Sequence, residues 1–205
     1  MEPAWLAWVR RLNALAQTGL TFAENPYDIE RYAAIRTIAA EMIARGTGAD
    51  AGRVLDLLAS DAGYATPKVD VQGVVFQDAK ILLVQERSDG LWTLPGGWAD
   101  VGDSPADAVV REVREESGFE TRATKLLALL DRNRHGHPPH LNHIYKIFIQ
   151  CEIIGGSPTT SHEIQDVGFF AEDEIPELSL TRIIPAQIAR MFEHYRHPDL
   201  SADFD

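Results

Sequence analysis

Three glutamates near the middle of the chain have a spacing that suits metal chemistry. Glu112, Glu115 and Glu116 would share one face of a helix, because positions i, i+3 and i+4 lie on the same side. Carboxylates this close repel one another unless a cation lies among them, and Mg²⁺ and Mn²⁺ prefer oxygen ligands. The spacing therefore predicts a Mg²⁺ or Mn²⁺ site that handles phosphates. The alternative is solvated charge, which many surface helices carry.

The helix that must position these glutamates has recognisable ends. Ser104 is a favourable N-cap, Pro105 suits the first helical position, and Gly118 lies where a helix often ends in a left-handed residue. Between them runs an apolar stripe formed by Ala106, Val109, Val110 and Val113. This pattern predicts a helix that packs on a sheet, with the glutamates at the edge of the packed face, where they would line a cleft.

The residues around this helix resemble the signature of the Nudix hydrolase family. That signature is a glycine, five residues, a glutamate, seven residues, and then Arg-Glu-apolar-x-Glu-Glu-x-Gly-apolar. Here Gly97 is followed after five residues by Asp103 and after seven more by REVREESGF, residues 111–119. Asp103 is the one departure, since the family usually has glutamate there. The resemblance implies an α+β fold in which a Nudix α/β/α sandwich with a mixed sheet holds the site.

The chain ahead of the signature has a different character, because residues 3 to 63 contain only helical patterns. Helices are predicted up to Thr18, from Ile29 to about Arg45, and from Ala51 to about Ser60. The predicted breaks are Gly19, Asn25-Pro26, Gly46 to Gly48, and Gly63. We therefore expect a small all-α domain over residues 1–64, followed by a catalytic domain over residues 68–205.

From Val69 the pattern changes to strands. Residues 69–76 and 80–87 should form a hairpin across 77–79, and further strands are predicted at 124–131, 143–154 and 166–172. A last helix is expected from about Ile184 to His194.

The N-terminal segment is also similar to a Nudix subgroup that carries its own N-terminal domain. The matching residues are 25–28, 30–32, 96–100, 125–128, 137–139, 145–146 and 178–179. Members of that subgroup hydrolyse nucleoside diphosphates linked to another moiety, such as CDP-choline and ADP-ribose. The resemblance thus implies release of a nucleoside monophosphate and a phosphorylated second product.

Two other functions remain open: a Nudix hydrolase of nucleoside triphosphates or RNA ends, and a non-catalytic nucleotide sensor. The intact Arg111 and glutamates weigh against the sensor. The N-terminal helices favour hydrolysis of linked nucleoside diphosphates over that of nucleoside triphosphates or RNA ends, because they show no basic helix-turn-helix face.

Roles within the site follow from charge and from the resemblance. Glu112 and Glu116, one helical turn apart, are the first choice of metal ligands, with Glu115 as a third ligand or a base. The resemblance adds the backbone carbonyl of Gly96 as a ligand, and it gives Arg111 the role of orienting a neighbouring glutamate.

The general base can lie outside the signature, on a later loop. In many family members it is a glutamate, and Glu163 stands in the corresponding order before a predicted strand. Glu152 and Asp166 are rival candidates for the same role.

Substrate contacts are predicted at Trp98 and His137. Trp98 can stack on a base or cover an ammonium group by cation–π attraction, although core packing is an equal alternative. His137 belongs to a histidine-rich loop, residues 135–140 with His143 nearby, which suits substrate contact or plain exposure. Zinc binding is disfavoured because the loop has no cysteine partner and contains two prolines.

Composition limits the partners and the location. A formal net charge of −12 argues against a general nucleic-acid interface, which needs a basic surface. The single cysteine, Cys151, excludes an internal disulfide framework and suits a reducing cytoplasm. No segment is long enough to cross a bilayer, and the N-terminus lacks the basic start of a secretion signal.

The first predicted helix also bears on assembly. Trp5, Leu6, Val9 and Leu12 form an apolar stripe that must pack on the catalytic domain, on its own neighbouring helices or on a second subunit. The resemblance favours a homodimer in which this N-terminal region takes part.

Overall fold

The computed structural model describes residues 3–205, which divide into two compact units. The helical unit comprises the chain up to Pro67 together with Pro139–His143. The sheet unit comprises Lys68–Pro138 and Ile144–Asp205. The helical unit therefore includes a short segment that is distant in sequence from its three helices.

The helical unit is built from α1 (Ala4–Phe22), α2 (Pro26–Thr47) and α3 (Ala51–Ala59). Its core consists of apolar side chains from all three helices, with Leu141 packed against them. The buried members are Val9, Ala39, Ala40, Ile43, Val54 and Leu58. The all-α character predicted for this region is confirmed.

Two of its glycines, Gly19 and Gly46, lie inside helices. The predicted break at Gly19 is therefore wrong, whereas the break predicted over Gly46 to Gly48 falls at Gly48. A Cβ atom at Gly19 would lie 2.4 Å from the ring of Tyr32, and one at Gly46 would lie 2.4 Å from the ring of Trp5. Both glycines thus let an aromatic ring pack directly on a helix backbone. Packing of this kind outweighs the low helix propensity of glycine.

The second helix also begins earlier than predicted, at Pro26 rather than Ile29. Asn25 caps it by accepting a hydrogen bond of 2.8 Å from the Tyr27 N–H, and Pro26 occupies the first turn. The helix ends at Gly48, whose φ of 76° is left-handed.

The sheet unit contains strands and two helices in alternation. The strands are β1 (Lys68–Gln77), β2 (Lys80–Glu86), β3 (Trp92–Thr93), β4 (Gly96–Trp98), β5 (Phe119–Asp131), β6 (Ile144–Gly156), β7 (Ile164–Phe170) and β8 (Asp203–Phe204). The helices are α4 (Pro105–Ser117) and α5 (Pro185–Arg196). The predicted hairpin is present, with Asp78 and Ala79 at φ values of 51° and 59°, as a type I′ turn requires.

The strands form one mixed sheet in the order β3-β2-β1-β6-β5-β8, with β4 also paired to β1 and β7 to β2. The β1–β6 and β5–β8 pairs are parallel, whereas the other pairs are antiparallel. Along β1 alternate side chains point to opposite faces. Val71 and Val75 pack with residues of α4, whereas Val74 packs with residues of α5.

Helices thus cover both faces of the sheet. On one face Val109 and Val113 of α4 are fully buried, and on the other Ile188 and Met191 of α5 are buried. This confirms the predicted α/β/α sandwich with a mixed sheet. Among residues 3–205, no helix is both long and apolar enough to span a membrane.

Candidate active site

The helix α4 has the ends that the sequence predicts. The Ser104 hydroxyl accepts a hydrogen bond of 3.2 Å from the Asp107 N–H, which caps the N-terminus. Gly118 closes the C-terminus with a φ of 79°. These caps, and the burial of Val109 and Val113, fix the rotation of the helix and hence the direction of its glutamates.

Glu116 points into the protein, where only 7% of the residue is exposed. Its carboxylate accepts a hydrogen bond of 2.8 Å from the Gly96 N–H, which joins α4 to the start of β4. Gly96 has no room for a side chain, since a Cβ atom there would lie 2.1 Å from the Val71 carbonyl oxygen. The glycine and the buried glutamate therefore form one packed unit.

Arg111 lies among four carboxylates at the edge of this unit. Its Nη1 donates a hydrogen bond of 2.7 Å to Glu112, and its Nε donates one of 3.2 Å to Asp103. Asp100 and Glu115 each lie 3.5 Å from the guanidinium. Glu112 is thus held by the arginine that the sequence placed beside it, and Asp103 is a second partner of that arginine.

The three signature glutamates differ in exposure. The side chains of Glu112 and Glu115 are 12% and 52% exposed, whereas Glu116 is buried. Across residues 3–205, no three His, Cys, Asp or Glu side chains form a group that could hold a metal ion. The oxygen donors that turn inward are therefore the carboxylates of Glu112 and Glu116, beside the Gly96 backbone.

The carboxylates around Glu116 create a negative environment that favours a bound cation. Burial raises the pKa of this carboxyl to about 8; the Gly96 hydrogen bond opposes the rise, and the negative charges of Glu112, Glu86 and Glu163 add to it. Within the described part of the chain, no lysine or arginine forms an ion pair with Glu116. A buried carboxylate without a cationic partner, next to a second carboxylate, fits a hard divalent cation.

Glu163 is the candidate base whose charge reaches Glu116. Its side chain is 63% exposed, so solvent has access to it. The two rivals lie in other settings: Glu152 pairs with Arg122 at 2.7 Å, and the Asp166 carboxylate accepts a hydrogen bond from Val167.

Glu86 is a member of the cluster that the sequence did not suggest. It is 7% exposed at the end of β2, its charge acts on Glu116, and the Glu163 charge acts on it. No local motif marks it, because its neighbours in space come from α4 and from the loop before β7. A carboxylate at the end of an otherwise apolar strand was the one available signal.

A buried polar chain beneath β4 was also not predicted. The ammonium group of Lys146, which is 1% exposed, pairs with Asp70, and Asp70 accepts a hydrogen bond of 2.7 Å from the Gln72 amide. That amide packs against Gly96, where an added Cβ would lie 2.9 Å from it. The lysine that interrupts the apolar strand 144–149 was the sequence signal.

The two predicted substrate contacts lie in different environments. Trp98 follows Gly97 on β4 and is 49% exposed. His137 is 8% exposed, with Nδ1 2.9 Å from the Leu180 carbonyl and Nε2 3.0 Å from the Gln187 amide. Burial lowers the pKa of His137 to about 4, so the ring is neutral near pH 7.

The chain matches two protein families, and the boundary between the two matches lies near the boundary between the two compact units. Residues 3–58 match the family described as the UDP-X-like N-terminal oligomerisation domain. Residues 66–192 match the family described as the NUDIX domain.

Individual relatives match over two thirds or more of the chain. A Bacillus subtilis (strain 168) protein named "Putative ADP-ribose pyrophosphatase YjhB" is 44% identical over 100% of this chain and 99% of its own length. The crystal structure of a UDP-X diphosphatase is 34% identical, with a TM-score of 0.65 over 98% of each chain. An ADP-ribose pyrophosphatase structure from Streptococcus suis 89-1591 is 41% identical, with a TM-score of 0.63, over 68% of this chain and all of its own.

Proposed function

Because the chain belongs to the Nudix hydrolase family, we propose that it hydrolyses a nucleoside diphosphate joined to a second moiety, of the ADP-ribose or CDP-choline type. The products are a nucleoside monophosphate and the phosphorylated second moiety. One observation carries the proposal: the buried Glu116 carboxylate, hydrogen-bonded to Gly96, lies without a cationic partner beside Glu112. The names of the relatives support the substrate class.

Hydrolases of this family generally use divalent metal ions, and we propose Mg²⁺ or Mn²⁺ here. Glu112 and Glu116 would hold the ion, with the Gly96 carbonyl as a further ligand. Glu115 is half exposed beside Arg111, so its side chain would have to turn toward the ion to serve as a third carboxylate ligand. When bound, the ion neutralises pyrophosphate oxygens and polarises water. Arg111 keeps the Glu112 carboxylate in place through its hydrogen bond of 2.7 Å.

Glu163 is proposed as the general base. Its exposed carboxylate can take a proton from the attacking water as the new P–O bond forms and the bridging P–O bond breaks. Its charge acts on Glu116, so it borders the same cluster. Glu152 is less suitable, because its carboxylate is engaged by Arg122.

Trp98 is proposed as the stacking surface for the substrate. Its half-exposed ring directly follows Gly97, which itself packs against Glu112. His137 has both ring nitrogens within hydrogen-bond distance of protein groups. A substrate contact through His137 would require one of these bonds to open.

The helical unit is proposed to mediate a homodimer. Along α1, Trp8, Leu15 and Phe22 are 60%, 64% and 67% exposed and lie seven residues apart. This spacing places them on one helix face, as in a helix–helix seam. The description of the matching family as an oligomerisation domain supports this role. A cytoplasmic location is proposed from the single, buried cysteine.

A substrate panel with identified products tests the function. ADP-ribose, CDP-choline, a UDP-sugar and a nucleoside triphosphate would each be incubated with the purified protein, and products assigned by phosphorus NMR. We expect cleavage of the diphosphate-linked substrates, loss of activity with EDTA, and recovery with Mg²⁺ or Mn²⁺. Full turnover in a metal-free preparation, or a clear preference for the triphosphate, would overturn the proposal.

A further inference from the structure

Glu86 is a buried carboxylate for which the proposed chemistry has no use. It is the last residue of β2, and its Oε1 lies 3.0 Å from the Nε of Arg182. Burial raises the pKa of Glu86, the Arg182 charge opposes the rise, and the Glu163 charge adds to it. The Arg182 side chain is 37% exposed, so the pair is only partly buried, and such a pair adds little stability. Its place beside the catalytic cluster therefore points to another role.

Arg182 is itself firmly held. Its Nη1 lies 3.3 Å from the Asp89 carboxylate and 3.2 Å from the Ser179 hydroxyl, and its Nη2 lies 3.3 Å from the Ser88 hydroxyl. The Ser179 hydroxyl in turn donates a hydrogen bond of 2.7 Å to Asp89. The guanidinium is thus a fixed anchor to which the Glu86 carboxylate is tied.

The end of β2 also holds the loop that carries Glu163. The pairing of β2 with β7 shifts register immediately before Glu86, which then lies opposite Ile164. The next residue, Arg87, donates a backbone hydrogen bond of 2.8 Å to the Glu163 carbonyl. Its Nε donates a second bond of 3.2 Å to the Ser161 carbonyl. A movement of Glu86 would therefore move the backbone of Glu163.

We propose that Glu86 is a positioning residue: tied to Arg182, it holds the end of β2 and so fixes Glu163 relative to Glu116. This inference rests on the proposed role of Glu163 as general base. The Glu86–Arg182 pair lies outside the signature sequence. It would affect the reaction through the two hydrogen bonds that Arg87 donates to the loop carrying Glu163.

A double-mutant cycle on ADP-ribose hydrolysis tests the inference. Glu86→Gln keeps the volume of the side chain and an oxygen that accepts from Arg182, but it removes the charge. We expect kcat to fall roughly 10-fold with KM unchanged, and Glu163→Gln to lower kcat by about 10²-fold. In the double variant we expect kcat equal to that of Glu163→Gln alone, because no base remains to be positioned.

Losses in kcat that multiply in the double variant, or a change confined to KM, would overturn the inference. Full kcat for Glu163→Gln would overturn both the base assignment and this inference, while wild-type cleavage of ADP-ribose would leave the proposed function standing. Arg182→Lys keeps the charge but loses the guanidinium fork, so it should repeat the kcat loss if Glu86→Gln does not fold. Glu172→Gln, which breaks the surface pair with Arg196, is the control and should change neither parameter.

Discussion

Glu115 and Glu116 are adjacent in sequence but occupy opposite environments. Glu115 is half exposed and lies 3.5 Å from Arg111, whereas Glu116 is buried against the Gly96 N–H. The rotation of about 100° between neighbouring helix positions accounts for the difference. A buried carboxylate is costly to ionise, so its charge is expected to matter most when a cation is bound.

Glu116→Gln should therefore lower kcat by roughly 10²-fold or more, equivalent to about 3 kcal/mol. The amide keeps an oxygen that can accept from Gly96, so the fold should persist. Asp103→Ala should lower kcat far less than Glu116→Gln does, since Asp103 contacts Arg111 rather than Glu116. Steady-state kinetics at saturating Mg²⁺ would measure both, and equal losses would show that the two positions have been misassigned.

The Glu116 carboxyl should make the stability of the metal-free protein depend on pH. Its pKa is about 8 in the folded protein, against an ordinary value of 4.5 for a glutamate in water. Between these values the native state holds a proton that the unfolded chain has lost, so the free energy of unfolding falls as pH rises. From pH 5 to 8 in EDTA, wild type should lose about 2 to 4 kcal/mol relative to Glu116→Gln. Urea unfolding measures this, and parallel pH curves for the two proteins would contradict it.

At the scale of elements, the end of α4 is locked by the chain that passes over it. Gly118 has a left-handed φ of 79°, and a Cβ atom there would lie 2.4 Å from the Ser157 carbonyl oxygen. The Thr159 N–H donates a hydrogen bond of 2.9 Å to the Ser117 carbonyl. Helix end and loop are therefore fitted to each other without space for a methyl group.

Gly118→Ala should accordingly lower the free energy of unfolding by more than the left-handed backbone conformation alone explains. Gly48 is the matched control, because it ends α2 with a φ of 76° and an added Cβ would meet nothing within 4 Å. We expect Gly48→Ala to lower the free energy of unfolding by about 1 kcal/mol, and Gly118→Ala by about 3 kcal/mol or more. Urea unfolding of both variants tests this, and similar losses would mean that the loop yields easily.

Elements with local signals were predictable, and those that depend on distant partners were not. The caps at Ser104 and Gly118 fixed both ends of α4 in advance. At α2, Asn25 and Pro26 predicted a break before a helix from Ile29, whereas they are the cap and first residue of that helix. By contrast β8 is two residues that pair with β5, and β5 extends back to Phe119, well before the predicted start at 124. Pairing across the sheet decides such boundaries.

Residues of the candidate site were likewise predictable only where the signal was local. Glu112 and Glu116 come from one helix, so periodicity brings them together in advance. Glu86, Arg182 and Lys146 come from separate strands and loops. Only the folded sheet brings Glu86 near Glu116, Arg182 to Glu86, and Lys146 to Asp70. Their polar character within apolar surroundings was visible in the sequence, but their neighbours were not.

For the whole molecule, the exposed face of α1 is the feature that bears on assembly. Leu15→Asp places a charge in the middle of the face formed by Trp8, Leu15 and Phe22, and should convert a dimer to a monomer. Ile154→Asp is the control, since Ile154 is 65% exposed on β6 in the sheet unit. Light scattering coupled to size exclusion measures the masses. The proposed interface is wrong if Leu15→Asp leaves the mass unchanged.

The discontinuous helical unit has a consequence for the growing chain. Its three helices leave the ribosome first, but Leu141 and the His140 carbonyl, which lies 2.6 Å from the Arg10 guanidinium, follow only after most of the sheet strands. At translation rates of about 5 to 20 residues per second, that interval lasts several seconds. During this time the helices lack part of their own core. The helical unit therefore cannot be completed until the chain has been synthesised as far as His143.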